Sequence, residues 1–303
     1  MPINTYNADC LKEVSKLEDN SIDCIITDPP YFIHNLDNNW DSKKINKNTL
    51  VKSYVNNLPS GMKFSKDQTK KLYDYYLKLS KILYKKLKPG GFFLSFSSPR
   101  LYHSIASACD HAGFEIRDMI NWVYTKSIPK GMTVTHFINR MNIDDDAKLE
   151  LIEKYKNHKT PQIRSCFEPV CVALKPIEGS FVENEIKYGT GLVDFSQKVG
   201  VNFDKVPTNV MTTSLHNTIY DNNFLVSKPD KKEKGDSNNH ITVKPLVLVE
   251  HLVKLFSKEG GLILDPFLGS GTTALACKNT NRSCIGYEIN KDYFDIIQNR
   301  LAD

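Results

Sequence analysis

Ser21-Ile22-Asp23-Cys24-Ile25-Ile26-Thr27-Asp28-Pro29-Pro30-Tyr31 is a short apolar run stopped by two prolines. The run is rich in β-branched residues and reads as a buried strand. Pro29 and Pro30 have no N–H and each fixes its own φ, so pairing cannot continue past Asp28. A carboxylate, two stiff carbonyl-bearing residues and an aromatic ring are left at the carboxyl end of a strand. In an open α/β sheet, ligands bind at that edge. Asp-Pro-Pro is also an ordinary strand-ending turn, so the tetrad needs a second signal.

What the tetrad can do is specific. An exocyclic amine on a nucleobase is a poor nucleophile, because its lone pair is delocalised into the ring. A carboxylate and a backbone carbonyl can each accept one of its N–H bonds, which aims the lone pair at an electrophile. Tyr31 can stack on the base, and Pro-Pro fixes the geometry in advance. Asp28 need not deprotonate a neutral amine, which a carboxylate of pKa roughly 4 could not do. The amine becomes acidic only once alkylated.

Upstream, residues 4–9 form a strand candidate ending in Ala8-Asp9-Cys10, and a short helix runs through Leu11, Val14 and Leu17. Downstream, residues 32–68 are long, polar and rich in Asn and Lys, with Trp40, Tyr54 and Phe64 scattered through them. Such a loop fits closure over nucleic acid, or a plain insertion. Leu72, Tyr75, Tyr76, Leu79, Ile82, Leu83 and Leu87 predict an amphipathic helix over 70–87, stopped by Pro89-Gly90-Gly91. Strands are expected at 92–96, 114–124 and 169–174, with helices at 99–111 and 144–157. Residues 177–239 read as irregular and polar: an insert and a flexible tether. Order returns with a helix at 245–258, a strand at 262–265, a glycine turn into a helix at 269–277, a strand at 284–288 and a helix at 290–301. Strands alternating with helices imply a doubly wound, mostly parallel α/β sheet.

The chain has 303 residues and a net charge of +5. Residues 41–90 hold thirteen Lys against three Asp or Glu, a local +10 that leaves −5 for the rest. A concentrated basic segment fits an anionic polymer partner, or a solvated helix face. Seven cysteines with no C-x-x-C pair give no zinc spacing and no disulfide framework. With no apolar leader and no membrane-length apolar run, a cytoplasmic location and no membrane contact are expected.

The second signal is Asp265-Pro266-Phe267-Leu268-Gly269-Ser270-Gly271-Thr272-Thr273: a strand, a glycine turn and a helix start. Glycines let a backbone approach a ligand closely. Free N–H groups at a helix start favour an anionic tail. Glu288 ends the next strand, where an acid can hold ribose hydroxyls. A P-loop would need Lys directly after Gly271, where Thr272 stands. A dinucleotide fingerprint would want a third glycine at Ala274, a weaker exclusion because alanine is tolerated there.

Taken together, Asp28-Pro29-Pro30-Tyr31 and the 265–273 motif, in that order, resemble the β group of amino-directed (N6-adenine/N4-cytosine) DNA methyltransferases. The likeness covers residues 4–31, 70–125, 166–176 and 240–301. It implies a circularly permuted methyltransferase-type sheet. Residues 1–176 and 240–303 would be two halves of one domain, with 177–239 as target-recognition insert. It implies S-adenosyl-L-methionine as cofactor and methyl transfer to a base flipped from duplex DNA. Asp28, Pro29, Pro30 and Tyr31 would act on the amine. Phe267, Gly269 and Gly271, with Asp265, Pro266, Ser270 and Thr272, would line the cofactor. Glu288 would hold its ribose, and Asp9 and Cys10 its adenine. His240-Ile241-Thr242-Val243-Lys244-Pro245 resembles the remaining cofactor motif, placing Lys244 and Pro245 near the methionine end, with His240 and Thr242 beside them. The family's sheet sets the 262–265 and 22–28 strands side by side. Asp at the tetrad's first position favours adenine N6; cytosine N4 and an RNA target stay open. A homodimer and a cognate restriction endonuclease are partners the resemblance admits and the residues leave open.

Overall fold

The computed structural model describes residues 1–30, 66–124, 131–161, 163, 165–199, 205–212, 224–226, 228–234 and 243–302. Tyr31, the 32–65 part of the polar loop, His240 and Thr242 lie outside the described residues. The strands are β1 Ile3–Asn7, β2 Ile22–Thr27, β3 Leu87–Phe96, β4 Glu115–Val123, β5 Phe167–Leu174, β6 Val210–Thr212, β7 Phe224–Leu225, β8 Leu262–Asp265 and β9 Ser283–Glu288. The helices are α1 Cys10–Glu13, α2 Lys66–Lys86, α3 Tyr102–His111, α4 Thr135–Ile138, α5 Asp145–Tyr155, α6 Phe181–Tyr188, α7 Lys231–Lys234, α8 Leu246–Phe256, α9 Thr272–Asn279 and α10 Lys291–Ala302.

The strands make one sheet, ordered β1-β9-β8-β2-β3-β5-β4-β6-β7. Every neighbour pair is parallel except those of β5, which runs antiparallel to β3 and β4. The expected adjacency holds: β2 pairs β8 through Cys24 with Ile263 and Ile25 with Leu264. The chain closes on itself, because β1 pairs β9 from Ile3–Cys284 to Asn7–Glu288. On α10, the Gln298 side-chain amide donates to Thr5 Oγ1 at 2.9 Å. Residues Met1–Val123 and Phe167–Asp303 form the unit that carries this sheet. Tyr124–Cys166 forms a second, small unit holding α4 and α5, a boundary the sequence does not announce. Within it Thr160 N–H donates to Met132 O at 2.9 Å.

The core follows the helical spacing. Leu72, Tyr76, Leu79 and Leu83 of α2 are fully or almost fully buried against Ile22, Ile25 and Phe93 of the sheet. Burial of each such side chain is worth roughly 1.5–3 kcal/mol. The opposite face of α2 exposes Lys70, Lys71, Lys78, Lys81 and Lys85. A solvated helix face thus accounts for this part of the basic segment, while Lys86 is buried and bonded to Leu17 O and Asp19 at 2.7 and 2.6 Å. All seven cysteines are free; Cys24, Cys171 and Cys284 are core residues. No described helix is long and apolar enough to cross a membrane.

Two expectations change. Pro89-Gly90-Gly91 does not separate α2 from its strand, because β3 starts at Leu87 and runs through it. Gly90 at φ +74° lets the strand bulge: its N–H donates to Lys175 O at 2.9 Å, and Lys175 N–H returns to Gly91 O at 3.0 Å. Secondly, residues 177–239 are not irregular throughout. Ser180 and Glu183 form a reciprocal capping box that starts α6, and Gly189 in the left-handed region ends it. Asn184 on that helix is wholly buried. Its amide donates to Pro89 O at 3.0 Å and Thr190 O at 2.8 Å, and accepts from Glu178 N–H at 3.0 Å. Strands β6 and β7 then extend the sheet beyond β4.

Candidate active site

Four adjacent parallel strands, β1, β9, β8 and β2, end at one edge of the sheet. Their carboxyl ends carry, in turn, Asp9 and Cys10, Glu288, the 265–271 turn, and Asp28 with Pro29 and Pro30. The two motifs, over two hundred residues apart in sequence, therefore open on the same side. Thr27 locks them together, its hydroxyl donating to Asp265 Oδ1 at 2.6 Å.

The glycine turn is held from inside. Asp265 is buried, and the same Oδ1 also accepts Phe267 N–H at 3.0 Å. Burial pushes its pKa up to about 6, against the hydrogen bonds of the Thr27 and Thr273 side chains and the Phe267 N–H. Gly269 and Gly271 both have positive φ, +56° and +88°. Gly271 N–H closes the turn on Leu268 O at 2.9 Å, and a Cβ there would press on Ile297 at 3.2 Å. Arg300 donates to Ser270 O at 2.7 Å and to Ser270 Oγ and Thr272 Oγ1 at 3.3 Å. Ser270, Thr272 and Pro266 are buried, and Phe267 is half-buried beside the Tyr75 ring, centroids 6.3 Å apart.

Glu288 faces this turn. Its Oε2 accepts Gly269 N–H and its Oε1 accepts Asn290 N–H, each at 2.8 Å. The Ile289 N–H also acts on this carboxylate. Burial pushes its pKa up to about 7, opposed by the Asn290 and Gly269 N–H groups. Asp9 caps α1, its Oδ1 accepting Leu11 N–H at 3.0 Å. Cys10 is buried 3.9 Å from the Tyr75 hydroxyl, and burial pushes its thiol up to about 12.

Beside Asp28 stands Lys244. Its ammonium is bonded to Asp28 Oδ2, lies 3.3 Å from Glu168 Oε2, and sits 5.2 Å from the centroid of the Phe96 ring. Burial lowers the Lys244 pKa, and the Asp28 and Glu168 carboxylates more than offset that, leaving it above the ordinary lysine value. Pro245 is buried and precedes α8. Glu168 reaches this edge because β5 is reversed: its amino end lies where its parallel neighbours have their carboxyl ends, with Ser97 N–H donating to Pro169 O at 2.8 Å.

The structure thus brings Asp28, Pro29, Pro30, Lys244, Pro245, Asp9, Cys10, Glu288 and the 265–272 turn to one edge, and Tyr31, His240 and Thr242 lie outside the described residues. Sequence reasoning missed Glu168, Thr27, Tyr75 and Asn290. Tyr75 was legible only as a core position, and nothing in Phe167-Glu168-Pro169 marks an acid that pairs with Lys244.

The family model described as "DNA methylase" (N6/N4 methyltransferase) matches residues 22–299. The chain is 28% identical to the type II methyltransferase M.HindIII of Haemophilus influenzae over 98% of this chain and 94% of that protein. It is 25% identical to M2.DpnII of Streptococcus pneumoniae over 97% and 88%. Among solved structures, the PvuII cytosine-N4-specific DNA methyltransferase shares the fold at TM-score 0.64 and 17% identity, covering 100% of this chain and 87% of that one. The M1.HpyAVI–SAM complex does so at TM-score 0.51 and 22% identity, covering 99% of each. With the family model spanning nearly the whole chain and the two motifs meeting at one sheet edge, the protein belongs to the N6/N4 DNA methylase family.

Proposed function

We propose that the chain is a site-specific DNA adenine-N6 methyltransferase. It takes the methyl group from S-adenosyl-L-methionine and acts on an adenine flipped out of duplex DNA. The adjacency of β2 and β8, which sets Asp28 beside the 265–271 turn, supports the amino-methyltransferase chemistry, and Asp28 at the tetrad's first position favours adenine over cytosine. The residues fit the cofactor. Glu288 is oriented by the backbone N–H groups of Gly269, Asn290 and Ile289 and keeps acceptor capacity for a ribose hydroxyl. Phe267 offers a half-buried ring to flank an adenine, and Asp9 keeps its second oxygen for that ring's amine. Lys244 stands at the tetrad, its ammonium bonded to Asp28 and 3.3 Å from Glu168. Asp265 acts indirectly, since its bonds hold the turn rather than face a ligand.

The bound cofactor supplies an electrophilic methyl carbon on a sulfonium. Asp28 and the Pro29 carbonyl accept the two N–H bonds of the target amine and aim its lone pair. S-adenosyl-L-methionine, which Glu288 and the 265–271 turn would hold, would give its methyl carbon to that lone pair and keep the carbon–sulfur electron pair on sulfur. The positive charge passes to nitrogen, and Asp28 takes the amine proton, then releases it to water. Extruding the base costs a few kcal/mol, and stacking on Tyr31 recovers roughly 1–3 kcal/mol. Residues 190–239, the 32–65 loop and the Tyr124–Cys166 unit are the segments left to read DNA sequence, because α6 is tied to β3.

The test is transfer of labelled methyl from S-adenosyl-L-methionine to duplex DNA, followed by nucleoside analysis. Label in N6-methyladenine supports the reading. Label in N4-methylcytosine keeps the enzyme and replaces the base, and preferential labelling of competing RNA replaces the polymer. A homodimer and a partner endonuclease belong to this proposal only as what type II relatives suggest.

A further inference from the structure

The following rests on DNA being the polymer bound. Thr69, Lys70 and Tyr73 of α2 meet His103, Ser104 and Ser107 of α3 across an open cleft of about 400 Å³. Further along, Ser80 Oγ reaches Cys109 Sγ at 3.8 Å, so the two helices run side by side in the same direction. They start near the edge that carries Asp28: α3 follows the end of β3 at Phe96, and Ser95 of β3 is paired with Thr27. The cleft thus lies along the first two turns of each helix, the positive end of its dipole. Hydroxyls, an ammonium and an imidazole line it, and among the described residues no carboxylate does. The Tyr73 hydroxyl is engaged with His111 Nδ1 at 2.7 Å. Ser104 is different. It is 2% exposed, and its Oγ has no hydrogen-bond partner among the described residues. A buried polar group in that state is rare in a folded chain.

We propose that this cleft binds a phosphate of the DNA backbone, held by the Lys70 ammonium and the hydroxyls of Thr69 and Ser104. A phosphodiester is an anion that only accepts hydrogen bonds, which suits a wall of donors. A serine hydroxyl can turn its proton to meet such an acceptor. Lys70 differs from Lys78, Lys81 and Lys85 on the solvated face of α2, because they do not line the cleft. Its ammonium rests on Asp74 Oδ2 at 2.6 Å, and those side chains are 76% and 53% exposed. Water and salt screen a pair so exposed, so the ammonium can turn to a phosphate with little loss. The contact carries no base sequence; it fixes how the duplex lies on the edge where Asp28 stands. The competing account is structural: Ser104 is a packing residue and Lys70 one more solvated lysine.

Fluorescence anisotropy with short duplexes, over about 50 to 200 mM KCl, separates the two accounts. In Lys70→Gln the slope of log affinity against log salt should shrink by about 0.9, the share of one phosphate. Affinity near 100 mM salt should fall on the order of 3–10-fold, and equally on unrelated duplexes. Lys81→Gln and Lys85→Gln, on later turns of α2, should keep the wild-type slope. Ser104→Ala should bind DNA roughly 3–10-fold more weakly. Its thermal melting should not drop, because the hydroxyl has no partner among the described residues to lose. An unchanged slope in Lys70→Gln, the same change in all three lysine variants, or wild-type DNA binding by Ser104→Ala overturns the proposal. Calorimetry with inorganic phosphate alone distinguishes the sources. Saturable binding that Lys70→Gln abolishes, with DNA affinity unmoved, would assign the cleft to a free anion and overturn it too. If wild type binds no DNA, the reading beneath the proposal fails instead, and the two failures are distinguishable.

Discussion

The Thr27 hydroxyl donates to the Asp265 carboxylate at 2.6 Å, joining the last residue of β2 to the last residue of β8. That bond fixes the spacing between the acid tetrad and the glycine turn. Thr27→Val keeps the shape and removes the donor. Asp265, already pushed up to about 6 by burial, would rise further. A buried acceptor that loses one partner costs about 1–3 kcal/mol. Urea unfolding should show that loss at pH 7.5, together with weaker cofactor binding; an unchanged midpoint would contradict the clamp.

Asp28→Ala removes the amine's acceptor while leaving Lys244 with Glu168. Losing one preorganised group at the reacting atom typically costs about 100–1,000-fold in rate. Methyl transfer should fall at least that far, with calorimetric cofactor affinity within several-fold of wild type. Loss of cofactor binding in step with transfer would show that Asp28 serves the cofactor rather than the amine.

Glu288 gives a pH signature. Burial raises its pKa from 4.5 to about 7, so the folded chain binds more protons than the unfolded one between those values. Its contribution to stability is complete below pH 4.5 and is lost as pH rises through about 7. Asp265, raised from 3.8 to about 6, has the same sign. His251, pushed by burial from 6.5 down to about 4, has the opposite sign: its contribution is gained as pH rises between them. Comparing wild type with Glu288→Gln isolates one group. The variant should gain stability relative to wild type as pH rises from 5 to 8. If the ionised acid accepts ribose hydroxyls, wild-type cofactor affinity should climb through about pH 7. The Glu288→Gln variant should bind weakly with no such slope, and parallel curves would sink the assignment.

Asn184→Leu tests whether α6 is scaffold. The substitution leaves Thr190 O and Glu178 N–H without the Asn184 amide, while Pro89 O keeps the Thr190 hydroxyl at 2.6 Å. Each unsatisfied group costs about 1–3 kcal/mol. Chemical denaturation should show a loss of several kcal/mol, with the rate per folded molecule and the methylated sequence unchanged. A changed target sequence would place α6 at the DNA instead.

The doubly wound sheet was legible because its signals are local: the β-branched run before Pro29, the periodic leucines of α2, and the glycine turn after Leu264. Other features were not, for three physical reasons. Pro89-Gly90-Gly91 looks like a helix stop but is a strand bulge, because Gly90 packs against Asn184 almost a hundred residues later. The capping box at Ser180–Glu183 was present in the sequence, and the surrounding polar residues hid it. Glu168 became part of the site only through the reversal of β5, which is a property of sheet order rather than of any local pattern. The site residues gathered by the four parallel strands were readable because each strand ends in its own motif.

The most direct measurement is a structure of the chain with bound S-adenosyl-L-methionine. The account predicts the ribose on Glu288 and the methyl carbon turned toward Asp28. Between them should be room for one nitrogen, roughly 3–3.5 Å from the methyl carbon and about 3 Å from the carboxylate. A cofactor seated elsewhere, or one whose methyl points away from Asp28, would contradict it.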